Sequence, residues 1–125
     1  RFLNGDFVLP STTPSQFDPA TYLASLELLG SYAPLRMYLT HYGALDYSLE
    51  KAQLLARQID AYCAFARAET LDVGCLQQRL GDYALELLHQ FGAPHDDAVL
   101  RHFLASDMQL NAQGLQLWQQ RVTNV

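Results

Sequence analysis

Beyond Gly43 the apolar residues recur at helical spacing almost to the end of the chain, which confines residues 47–125 to an all-α arrangement. Over residues 48–68, Leu49, Ala52, Leu55, Ala56, Ile59, Cys63 and Ala66 share one face, and Glu50, Arg57 and Arg67 are left for water. Over residues 72–91, Val73, Leu76, Leu80, Tyr83, Leu87 and Phe91 form a second stripe, stopped by Gly92 and Pro94. Two shorter helices are expected to follow. The first covers residues 97–105, with Val99, Leu100, Phe103 and Leu104, and the second residues 107–122, with Met108, Leu115 and Trp118. Apolar faces in such succession bury one another most simply as a helical bundle or hairpin stack.

The first third is organised differently. Residues 6–9 read as an extended segment, stopped by Pro10 and a run of Ser, Thr and Pro that cannot continue a helix and is expected to be a surface loop. Asp18 and Pro19 then open a helix with a capping side chain and a proline at its first position. Tyr22, Leu23, Leu26 and Leu29 are its expected inner stripe, with Gly30 as its C-cap. Residues 35–39, rich in branched and aromatic types and preceded by Pro34, read as a short buried strand. The order strand, helix, strand permits a right-handed parallel crossover. The expected class is therefore an α/β start of two short strands with a crossover helix, followed by an all-α region, mostly helical overall. Residues 1–46 and 47–125 divide the chain on this basis.

Composition excludes several functions. Eight basic against thirteen acidic residues give a net charge of −5 with no basic cluster, so nothing attracts a phosphate backbone or an anionic membrane. No apolar run approaches the length of a bilayer span, and no signal-peptide pattern opens the chain. Two cysteines, Cys63 and Cys75, are too few for a disulfide framework; both are expected to be buried free thiols, and the cytoplasm is the expected compartment.

Residues 35–39 run into Thr40-His41-Tyr42-Gly43. A histidine at the C-terminal end of a strand stands where open α/β folds place ligands and metals, although a lone histidine is more often structural. Three stretches here resemble the C-terminal part of metallo-β-lactamase-fold hydrolases of the glyoxalase-II-like branch. They are Val8-Leu9-Pro10-Ser11-Thr12-Thr13-Pro14 with Gln16-Phe17-Asp18-Pro19, then Tyr38-Leu39-Thr40-His41-Tyr42-Gly43, then residues 107–115 with Asn111-Ala112-Gln113-Gly114.

The resemblance implies that residues 1–46 are the C-terminal edge of an α/β sandwich and that the helical tail walls the active site. It implies that His41 is the last ligand of a two-metal site, usually zinc. There the metals polarise an ester or thioester carbonyl and supply bound hydroxide. Thr12, Thr13, Pro14 and Tyr42 are candidate pocket-lining residues. The family's His-x-His-x-Asp-His motif is absent, and Asp6 does not fit the bridging aspartate, which lies further upstream in the family. The chain therefore reads as a piece of a larger enzyme, inactive alone and holding no metal by itself, with no catalytic residue of its own. A different class remains open: a non-catalytic helical interaction module. Apolar surface left by missing parts leads to the expectation of a homodimer.

Other chemistry has less support. His89, His95 and His102 lie near Asp96 and Asp97, but Pro94 interrupts the helix that would align them, and they read as solvated or helix-end histidines. Ser11, Ser15 and Ser25 lack a nucleophile-elbow context, and neither cysteine has an adjacent base.

Overall fold

A computed structural model describes residues 7–12, 14–39, 43–68 and 72–124. The chain is mostly helical with a short two-stranded sheet. The elements in order are α1 (Pro19–Ser31), β1 (Arg36–Leu39), β2 (Gly43–Asp46), α2 (Leu49–Ala68), α3 (Val73–Gln90) and α4 (Asp97–Thr123).

The strands pair differently from the expected crossover. β1 and β2 are consecutive and antiparallel, with Arg36 opposite Asp46, Met37 opposite Leu45, Tyr38 opposite Ala44 and Leu39 opposite Gly43. The helix α1 precedes both strands instead of crossing between them. Three residues separate Leu39 from Gly43, a separation that suits a hairpin, whereas parallel strands need a dozen or more. Phe7 makes only a single bridge.

The helix ends follow their capping chemistry. Asp18 is the N-cap of α1 with Pro19 at its first position, but its carboxylate accepts from Thr21 Oγ1 at 2.5 Å instead of from the backbone. The helix also runs through Gly30, whose Cα faces the Tyr47 hydroxyl, and the left-handed turn falls on Ala33 at φ 47°. Asp72 caps α3, accepting from the N–H groups of Gly74 at 2.8 Å and Cys75 at 3.2 Å. Its other end closes as a Schellman motif. Gly92, at φ 76°, donates to His89 O and Ala93 donates to Leu88 O, both at 3.0 Å. Asp96 accepts from Val99 N–H at 2.9 Å and opens α4.

The two helices expected over residues 97–122 are one. No proline or glycine lies between Asp97 and Gln113, so the hydrogen-bond ladder continues through Ser106, and α4 spans 27 residues, on the order of 40 Å. Its inner face carries Leu100, Leu104, Met108, Asn111, Ala112, Gly114, Leu115 and Trp118. That face meets Leu76, Leu80, Ala84, Leu85 and Leu88 of α3 and Leu54, Ile59, Tyr62, Cys63 and Ala66 of α2. Val99, Phe103 and Leu49, expected inside, are exposed, and so is Phe91 in part. Within the core Tyr83 stands edge-on to both Tyr62 and Phe65.

The hydrophobic cluster of the described residues draws on both parts of the chain, because residues 7–12 and 14–17 form a strap along the helices. Phe7 and Phe17 anchor its ends. Phe7 is edge-on to Phe91 with centroids 5.4 Å apart, and Phe17 is edge-on to Trp118 at 6.1 Å. The Ser/Thr/Pro run is thus no simple surface loop, since Pro10 and Thr12 are both buried.

Candidate functional site

Within the interior the densest polar arrangement lies where the strap crosses α4. Thr12 is 1% exposed, and its backbone N–H donates to Asn111 Oδ1 at 2.8 Å. Its hydroxyl donates to Asn111 O at 2.8 Å and stands 3.2 Å from Asn111 Oδ1. Asn111 Nδ2 donates in turn to Pro10 O at 3.1 Å. One asparagine side chain thus satisfies both a donor and an acceptor of an extended backbone, which apolar residues cannot do.

Gly114, one turn further along, permits this approach. A Cβ there would lie 2.1 Å from Thr12 O and 2.9 Å from Thr12 C. Nearby, Gln58 Nε2 donates to Val8 O at 2.8 Å, and Arg121 Nη2 donates to Phe17 O at 2.5 Å. The strap is therefore held at four points along its length.

Beside it the buried Gln58 Oε1 has no hydrogen-bond partner, and the buried Tyr62 hydroxyl stands by the Asn111 side chain without a well-formed bond. They belong to residues four apart on one face of α2. Burial, reinforced by Tyr83 and Tyr22, raises the Tyr62 phenol far above its ordinary range, and Asn111 offsets this only in part. Tyr22 is raised as well, again chiefly by burial, with a bond from the Ser11 backbone acting against it. Neither phenol serves as a base near neutral pH.

On the outer side of the α3/α4 pair lies an open groove of about 560 Å³, lined by Asp82, Glu86, His89, Asp97 and Arg101 among others. Two polar contacts cross it: His89 Nε2 with Asp97 Oδ1 at 2.7 Å, and the ion pair in which Arg101 Nη2 donates to Asp82 Oδ1 at 2.6 Å. Their side chains are half-exposed, where such pairs contribute at most ~1 kcal/mol. His89 is thus engaged by a carboxylate across the helix pair, while His95 and His102 are exposed.

Of the residues singled out from the sequence, Thr12 is inside, committed to Asn111, and Pro14 is half-buried in the turn that follows. His41, Thr13 and Tyr42 lie outside the described residues. Among the described residues no group of three or more His, Cys, Asp or Glu side chains could hold a metal ion.

Cys63 is buried, and burial pushes its thiol up to about 11. Cys75, expected inside, is instead exposed in the first turn of α3 beside Asp72, since the inner stripe there passes through Leu76. No helix among the described residues is long and apolar enough to cross a membrane.

Comparison with protein-family models, curated proteins and solved structures finds no match for this chain.

Hydrophobic periodicity does not signal Asn111, Gly114, Gln58 or Tyr62. Asn111 and Gly114 do fall in the stretch Asn111-Ala112-Gln113-Gly114, where a helix-breaking glycine beside a polar residue hints at close backbone approach.

Proposed function

We propose that this chain is the C-terminal part of a metal-dependent hydrolase of the metallo-β-lactamase superfamily, acting on an ester or thioester, to which it contributes His41 as one metal ligand. One observation carries the reading. Two of the stretches that resemble that family, residues 8–14 and 107–115, are far apart in sequence, yet they meet through Thr12, Asn111 and Gly114. Their joint presence then has a physical cause, because a strap of that kind requires an Asn and a Gly at those helix positions.

In this reading the remaining ligands of the two-metal site come from the rest of the enzyme. A catalytic zinc takes about three protein ligands, the described residues offer no such set, and His41 is one side chain. No reaction step is assigned to this chain. In the proposal it supplies one ligand, His41, and its helices form a wall beside the site.

The test is made on the complete reading frame that encodes the chain. It is expected to carry His-x-His-x-Asp-His upstream, and its product to bind two zinc ions and hydrolyse a thioester. His41→Ala is expected to remove one zinc and lower turnover by at least ~100-fold, since loss of even an outer-shell partner of a metal ligand costs roughly 10–100-fold. A reading frame without the motif, or full zinc content after His41→Ala, would overturn the proposal.

A second reading, a non-catalytic interaction or dimerisation module, is favoured by α1. The helix is strongly apolar, yet it contains no buried residue.

A further inference from the structure

The hairpin is poorly supported by the rest of the chain. β1 and β2 pair with each other, whereas the substantial helix contacts are α1 with α2, α2 with α3 and α4, and α3 with α4. A two-stranded hairpin alone is marginally stable in water and needs a third strand or a covering helix.

Its hydrogen-bond pattern shows which groups are left over. Tyr47 N–H donates to Leu35 O at 3.1 Å, so Leu35 and Tyr47 form a bonded pair and, by alternation, Met37 with Leu45 does too. The backbone groups of Arg36 and Tyr38 therefore point outward from β1. Among the described residues they meet no backbone partner. The devices that usually blunt such an edge are missing, for β1 has neither a proline nor a bulge. Its one charge, Arg36, is engaged by Asp46 at 3.1 Å.

Large apolar side chains are exposed on this strand and in the residues that lead into it: Leu35 and Tyr38 are 91% and 80% exposed, and Leu28, Leu29 and Tyr32, at the end of α1, are exposed as well. The five together expose on the order of 700 Å², taking a large side chain as roughly 200 Å². A stable dimer buries about 800 Å² per partner. Residues 32–43 also contain no acidic residue in a chain of net charge −5, so like-charge repulsion does not oppose a second copy there.

We propose that β1 is an assembly edge, where two copies of this chain pair antiparallel about a two-fold axis at Met37 and complete a four-stranded sheet. In this register the outward groups of Arg36 bond those of Tyr38 in the other copy, and the reverse, which makes four new backbone hydrogen bonds. Each Tyr38 ring then lies beside the other copy's Arg36 on one face, a cation–π arrangement. Met37 faces its own counterpart across a non-bonded pair with Cα atoms about 4.5 Å apart. The inference does not depend on the hydrolase reading.

Light scattering on the purified chain at tens of micromolar is expected to give twice 14.1 kDa. Tyr38→Pro removes an outward N–H without touching the inner ladder, and is expected to give a monomer of unchanged helical circular dichroism. Independently, Met37→Cys in a Cys75→Ser background is expected to form a disulfide dimer on mild oxidation, since the separation falls within disulfide reach. Val99→Cys in the same background, exposed on α4, is expected to stay reducible monomer. A monomeric parent chain, a dimer that survives Tyr38→Pro, or no cross-link at position 37 would each overturn the proposal.

Discussion

Replacing Gly114 by alanine sets two opposing effects against each other, and the geometry decides between them. In an ordinary helix interior Gly→Ala stabilises by about 1 kcal/mol. Here the new Cβ would lie 2.1 Å from the carbonyl oxygen of Thr12 and 3.1 Å from its hydroxyl. Because a backbone atom cannot swing aside as a side-chain tip can, the strap must lift. Lifting it breaks the bonds between Thr12 and Asn111 and the bond from Asn111 to Pro10. At about 1 kcal/mol net for each hydrogen bond, with more for any polar group left buried, the loss is on the order of 3–4 kcal/mol. After the helix gain is subtracted, Gly114→Ala is expected to destabilise by roughly 2–3 kcal/mol and to lower Tm by about 10 °C. Urea unfolding followed by far-ultraviolet circular dichroism measures this directly. Asn111→Ala should cost a similar amount alone and little more once Gly114→Ala has displaced the strap. A Gly114→Ala protein as stable as the parent, or two substitutions whose costs simply add, would refute the strap as a single coupled unit.

Three further outcomes are expected. Tyr62→Phe removes a buried hydroxyl that meets the Asn111 side chain without a well-formed bond, so stability should change by less than ~1 kcal/mol in either direction; a larger loss, in the same urea assay, would mean the hydroxyl is firmly bonded. Asn111→Asp places a carboxyl in the same buried position, where burial raises its pKa, so the variant should lose stability as pH rises from about 4 to 7 while the parent does not; a flat difference would contradict this. With Ellman's reagent at pH 8, Cys75 should react at once and Cys63 only after unfolding. Because the Cys63 thiol is raised to about 11, its contribution to stability should persist through neutral pH and fall as pH climbs from the ordinary thiol range toward 11.

Much of the helical architecture could be read from residue spacing. The bounds of α2 and α3 follow from their stripes, and their start and stop residues, Asp72, Gly92 and Pro94, act through the capping chemistry their types suggest. Other features lay beyond such reading, for identifiable reasons. A periodicity of apolar residues cannot see Gln58 or Asn111, which are buried because they satisfy the backbone of a distant segment. Pro10 and Thr12 lie in a stretch with the composition of a solvated loop, and only their partner about a hundred residues away makes them interior. Ser106 resembles a helix boundary but faces water, so α4 continues past it. The hairpin was hidden because each strand is only four residues long, too short for alternation to define its partner. Of the candidate site, Thr12 was legible as a residue and not as a role.

The strap also orders events in time. Its partners Asn111 and Arg121 lie 99 to 104 residues downstream of the groups they hold, whereas α3 and α4 meet across a short turn. Closing so long a loop is entropically late and slow, while helix hairpins form from local contacts. During synthesis the strap leaves the ribosome before the helices, yet it has no seat until nearly all of α4 has emerged. Until then Phe7 and Phe17 travel uncovered, and the helical core presents the groove they will fill. Pulsed hydrogen exchange during refolding should therefore show the Thr12 amide protected after those of α3; equal protection times would place the strap in the folding nucleus instead.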